Sequence, residues 1–219
     1  MSKAPVFDRI YEDYLAQVFN IDLRSRAEKL GVQIVEDEVL IPLFGRPYTV
    51  SPKGIADPSG RRPSHSISVV LCQYLLLCPQ FPPREGGWVS FKDFKGAAPF
   101  AGAFANNVER AIAKNFMRRL EELRFASQKL LGRPPETDFP YQLSVRFDAL
   151  PKVPVLMLFN DEDDEFSARC LVLFERRAER YLDMECLAIV GWLLSDYLHR
   201  VAREKEKALI RGGLESGDR

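Results

Sequence analysis

Two strongly apolar stretches, Val153–Phe159 and Ala168–Phe174, flank the acidic run Asn160-Asp161-Glu162-Asp163-Asp164-Glu165. Short apolar runs bounded by polar residues are the signature of strands buried in a core. A charged tip between two of them makes an antiparallel hairpin, with the carboxylates held in water and guarding the strand ends against further pairing. Gln142–Phe147 is a third strand candidate just before them.

A second β block lies near the N-terminus. Val32–Val35 and Val39–Phe44 are separated by Glu36-Asp37-Glu38, and Gly45-Arg46-Pro47 then turns the chain into Tyr48–Ser51. These predict a three-stranded meander. Ser51 to Ser64, with its prolines and glycines, reads as a loop, and Trp88–Phe91 as a short strand.

The other segments have helical periodicity. Val6, Phe7, Ile10, Tyr11, Tyr14, Leu15, Val18 and Phe19 share one face. Asp22 is positioned to cap a short helix ending at Gly31. Ser64 caps a helix running to about Cys78 that is apolar nearly all round and therefore central. A continuous helix is expected from Phe104 to Leu131, stopped by Gly132 and Pro134-Pro135, and a last one from about Asp183 to Ile210.

Strands and helices thus come in blocks rather than in alternation, which predicts an α+β fold: small antiparallel hairpins packed against long helices. A single domain over residues 1–211 is expected, with 132–140 as an internal loop and 212–219 as a disordered tail.

Composition narrows the function. Among 219 residues, 31 Lys and Arg balance 31 Asp and Glu, so the basic excess of a general nucleic-acid binder is missing. The longest apolar stretches, Val69–Cys78 and Leu187–Leu194, fall short of the roughly 18 residues that span a bilayer. No secretory h-region interrupts the charged N-terminus, so a cytoplasmic location is expected. Cys72, Cys78, Cys170 and Cys186 form no C-x-x-C pair, and their mostly apolar surroundings suit free thiols in a reducing compartment.

Several phrases occur together in order: IPLFGRPYTVS (41–51), QYLLL (73–77), GWVSFKDF (87–94), LPKVPVLMLFNDEDDEF (150–166) and VLFERRAERYLDMECLAIVG (172–191). In this respect the chain resembles a bacterial and archaeal family catalogued as domain of unknown function thirty-seven eighty-six, over roughly residues 10 to 200. The resemblance implies the cytoplasm of an anaerobe and an accessory role near metal or cofactor chemistry, since some members look like fusions with an iron–sulfur-cluster module. This chain has no clustered cysteines, so no such cluster is implied for it.

Two stretches carry candidate chemistry. Lys53, Arg61, Arg62, Ser64 and His65 lead into a helix start, where backbone N–H groups, the helix dipole and guanidinium groups together favour a phosphate or carboxylate. Asp161, Asp163 and Glu165 alternate like the first ligands of a calcium loop. Phe166 and Val172 stand where that loop needs glycine and glutamate, so an EF-hand is excluded and an open divalent-metal site is what remains, against a solvated turn.

Other groupings read as structure. Trp88, Phe91, Phe94, Phe100 and Phe104 with Lys92 and Lys95 predict aromatic packing more than base stacking. Ser195, Asp196 and His199 share a helix face without an oxyanion hole or nucleophile elbow. Cys186 has Asp183 and Glu185 beside it, which oppose thiolate formation. Arg110, Lys114, Arg118 and Arg124 are diluted by Glu109, Glu121 and Glu122 into a solvated face.

Three functions are consistent with these features. They are an accessory protein binding a small anionic or cofactor-like ligand, a protein-interaction module, and a metal-dependent enzyme built on the 161–165 loop. No residue pattern identifies a cofactor or a reaction.

Overall fold

The computed structural model describes the backbone of residues 4–215 and the side chains of residues 8–208. Helix α1 (Ala4–Phe19) buries Tyr11 and Val18 against α3, and the Tyr11 hydroxyl accepts a 2.7 Å bond from the Ile55 amide. Asp22 caps the turn that precedes α2 (Ala27–Leu30), not the helix itself, by accepting from the Ser25 amide at 3.2 Å. Gly31 ends α2 with φ +67°, a conformation that side chains disfavour.

The first sheet is a meander of β1 (Gln33–Val35), β2 (Glu38–Leu43), β3 (Arg46–Ser51) and β4 (Gly54–Ala56). Its middle turn is Phe44-Gly45, tighter than expected, and Arg46 and Pro47 already pair with Leu43 and Pro42. Both turn residues have positive φ, at +48° and +74°, matching the twist of a two-residue hairpin. Strand β4 lies within the expected loop. Three residues are too few to show a period, so only the pairing with β3 reveals it.

Helix α3 (His65–Leu76) starts at Ser64, whose side chain accepts from the Ile67 amide. It buries Ile67, Val70, Leu71, Cys72, Tyr74 and Leu75, as its all-round apolar sequence requires.

The helix expected over 104–131 is divided. Helix α4 (Ala98–Phe104) runs into a π turn, Ala105–Glu109, and continues as α5 (Arg110–Phe116). The chain then breaks at Arg118, with φ +60°, before α6 (Leu120–Lys129). The Asp161 carboxylate accepts from the Arg118 amide at 2.7 Å, which satisfies the backbone where the helix stops. At the end of α6 the left-handed residue is Leu131, φ +57°, not Gly132. Gly132 is needed for space, because a Cβ there would lie 2.5 Å from Val145 and 2.8 Å from Phe147.

The second sheet has the order β5-β8-β7-β6, all antiparallel, from β5 (Trp88–Ser90), β6 (Leu143–Leu150), β7 (Val153–Asn160) and β8 (Arg169–Glu175). The β7–β8 hairpin is the one its apolar runs predict. Residues 153–159 are buried without interruption, so β7 is covered on both faces. Helix α7 (Met184–Glu215) packs against α3, α4, α5 and α6. It extends beyond the expected Ile210 into the segment expected as a tail, and residues 216–219 lie outside the described residues.

One hydrophobic core contains residues of both sheets, α3 and α7, and the architecture is α+β as predicted. The Phe44 amide donates to the Ala149 carbonyl at 2.9 Å and joins the two sheets. Among the described residues no helix is long and apolar enough to cross a membrane.

Gly191 sets how closely α7 approaches α4, because a Cβ there would overlap the Phe104 ring, which is itself stacked on Phe91 at 4.4 Å. Gly191→Ala is expected to cost about 1–3 kcal/mol through overpacking. Thermal unfolding checks this, and an unchanged midpoint would show that the helices give way freely.

Candidate functional site

The segment 57–64 is a closed loop. One Asp57 carboxylate oxygen accepts from the Ser59 hydroxyl at 2.6 Å, the Ser59 amide at 2.9 Å and the Arg61 amide at 3.0 Å. These bonds, the Ser59 hydroxyl foremost, hold the Asp57 carboxyl below its ordinary value. Gly60, with φ +79°, makes the tight return. The Arg61 Nε donates to the Ser59 hydroxyl at 2.8 Å, and Arg62 lies 3.8 Å over the Tyr11 ring while pairing with Asp8 at 2.9 Å. The stretch read as a basic loop is therefore pre-shaped by its own hydrogen bonds and by α1.

This loop forms one wall of a cleft of about 430 Å³. Of the expected ligand residues, Arg61, Arg62 and Ser64 line it. Lys53 sits in the exposed β3–β4 turn and His65 is half-buried in the first turn of α3, and neither lines the cleft. The opposite wall brings residues the sequence did not single out: Arg46 and Tyr48 from β3, and Asp196, Tyr197 and Arg200 from α7. Their spacing was a usable signal. Arg46 and Tyr48 alternate on one strand face, and Leu193, Tyr197 and Arg200 follow one helix face.

The cleft has four arginines against two aspartates. Arg200 pairs with Asp196 at 2.6 Å. Among the described residues, neither Arg46 nor Arg61 has a carboxylate at ion-pair distance, and the Arg46 guanidinium rests 4.7 Å from the centre of the Tyr197 ring. The Tyr197 hydroxyl is buried beside the Tyr48 phenol, its hydrogen-bonding neighbour. Burial first, and then the neighbouring Tyr48 phenol, push its pKa upward, so it stays a neutral donor.

The acidic tip is organised as a turn. Asp163 accepts from the Glu165 amide at 2.9 Å and the Phe166 amide at 2.7 Å, while Asp161 binds the Arg118 and Glu162 amides. Glu162 forms an ion pair with Arg118. Asp161, Asp163 and Glu165 are not gathered into a ligand set: among the described residues no group of three His, Cys, Asp or Glu side chains is placed to hold a metal ion.

Phe91, Phe94 and Phe104 are buried around Phe174, so the aromatic cluster is core. Glu109, in the π turn, accepts from the Val172 amide at 3.1 Å along the part of β8 that β5 leaves uncovered. Burial raises its carboxyl pKa. Burial likewise pushes the Cys72 thiol up to about 12 and the Cys170 and Cys186 thiols well upward, with Asp183 adding to the effect at Cys186.

An α+β protein with a basic, tyrosine-floored cleft between a β-meander and its last helix is the class that this fold and site define. A sequence profile described as Domain of unknown function (DUF3786) matches residues 22–197, and the chain belongs to that family. Neither the curated proteins nor the solved structures contain a match.

The thiols give a direct check on burial. At pH 8, Ellman's reagent is expected to modify Cys78, which is half-buried, well before the other three, which require denaturant. Rapid native labelling of Cys186 would contradict its assignment as a core thiol.

Proposed function

We propose that this chain is a non-catalytic accessory protein of the cytoplasm that binds a small phosphate- or carboxylate-bearing ligand in the Arg46/Arg61/Tyr197 cleft. The observation that carries this reading is the pair of guanidinium groups, Arg46 and Arg61, that meet in one cleft without carboxylate partners among the described residues. A planar guanidinium matches an oxyanion in two parallel hydrogen bonds. The start of α3 brings its cap residue Ser64 into the same cleft, at the positive end of the helix dipole. The Tyr197 hydroxyl supplies a further neutral donor from the floor.

Asp57 and Asp196 limit what fits. They line the same cleft and repel a bare polyanion, so the preferred ligand pairs its anionic group with hydroxyl or amino donors. The lining contains no nucleophile held by a general base, which is why binding and not turnover is the reading. The resemblance to a family in which some members look like fusions with an iron–sulfur module favours the same accessory setting.

Inorganic pyrophosphate is a suitable first probe. Isothermal titration is expected to show saturable binding that weakens with added salt. Each of Arg46→Ala and Arg61→Ala should weaken it about tenfold or more, the cost of a lost charge-assisted hydrogen bond. Unchanged affinity in both variants, or no binding by the parent protein, would reject the cleft as the site.

A further inference from the structure

We infer that a second groove, between the two sheets, binds a molecule with an anionic head on an apolar body. This groove, at about 610 Å³, is larger than the arginine cleft and shares no lining residue with it. Its volume is that of a small-molecule site.

The polar end is made by Arg133, Arg146, Lys152 and Arg177, with Glu85 and Asp148 among them. Arg177 is mostly buried and its Nη2 pairs with Glu175 at 2.9 Å and Glu85 at 3.2 Å. Arg146 approaches Glu136 at 3.3 Å and Asp148 at 3.8 Å. The Arg177 Nε–H is buried and makes no hydrogen bond, while the Arg146 Nε–H, also buried, faces Asp148 Oδ1 at 3.8 Å. Four cationic side chains against two carboxylates, with Lys152 in no ion pair among the described residues, leave the positive charge that an oxyanion needs, and the unmet buried donor of Arg177 is costly to the free protein.

The apolar end is made by Leu130, Leu131, Pro42 and Pro151. Leu131 is 67% exposed, takes the left-handed conformation at φ +57° and packs directly over Gly45, where a Cβ would come within 2.5 Å of its Cδ1. An exposed leucine in a conformation its side chain disfavours, beside paired arginines, is the arrangement of a clamp for an amphiphile. The arginine cleft, in contrast, is polar on both walls. The groove therefore selects a different ligand, and its assignment does not rest on that of the cleft.

The probe is 8-anilinonaphthalene-1-sulfonate, which joins an anionic head to an aromatic body. Fluorescence titration of the folded protein is expected to saturate at one equivalent, with displacement by decanoate or decyl phosphate, the stronger competitor giving the head group. Arg146→Gln and Leu131→Ser are each expected to weaken the probe about tenfold or more, with circular dichroism confirming the native fold. Leu131 is exposed, so its serine variant keeps the test valid even where the arginine variant fails to fold. Lys114→Ala, on the exposed face of α5, serves as the charge control and should bind like the parent. Unsaturable binding, full affinity in the Leu131 variant, or equal weakening in the Lys114 variant would overturn the assignment.

Discussion

The hydroxyl of Tyr74 holds the two halves of the molecule in register. It donates to the Leu30 carbonyl at 2.5 Å and accepts from the Lys152 amide at 3.1 Å, while the ring is wholly buried against Tyr181. Leu30 leads into the first sheet and Lys152 lies in the turn between β6 and β7. A single buried side chain on α3 thus satisfies one backbone group at the end of α2, just before the first sheet, and one in the β6–β7 turn of the second, which would otherwise be desolvated without partners. Burial raises the phenol pKa, so the hydroxyl remains protonated and able to perform both roles at any ordinary pH. Both candidate sites follow from this placement. Gly31 and Lys152, beside the two bonded groups, line the groove, and Ser64 at the other end of α3 lines the cleft.

Zero net charge conceals a local imbalance. Ion pairs between two exposed partners, such as Arg133 with Asp148 and Arg200 with Asp196, contribute little to stability in water. The Arg177–Glu175 pair differs, because both side chains are withdrawn from solvent and Glu175 also accepts from the Gly86 amide at 2.9 Å. Its removal would leave one buried charge uncompensated. Arg46 and Arg61, without carboxylates at ion-pair distance among the described residues, meet in one cleft, so the steering of an anion is short-ranged and set by the site, not by the overall field.

The parts of this fold legible in the sequence are those with local causes. The β7–β8 hairpin follows from its apolar runs and acidic tip, the end of α2 from Gly31, and the start of α3 from Ser64. The π turn at 105–109 and the break at Arg118 were not legible, because the apolar period runs through both. They coincide with contacts distant in sequence: the Glu109 carboxylate on the Val172 amide, and the Asp161 carboxylate on the Arg118 amide. The candidate cleft divides in the same way. Arg61, Arg62 and Ser64 were visible as a basic helix entry, whereas Arg46, Tyr48, Tyr197 and Arg200 join them only when β3 and α7 pack together. In the 161–165 run the sequence shows the spacing of the carboxylates but not that one oxygen each of Asp161 and Asp163 accepts from backbone amides.

Amide hydrogen exchange with and without pyrophosphate tests most directly whether the cleft where α3, β3 and α7 meet is a binding site. The account predicts ligand-dependent protection confined to three segments, near residues 46–48, 61–67 and 193–200. Protection at the 161–166 tip instead, or none anywhere at saturating pyrophosphate, would contradict it.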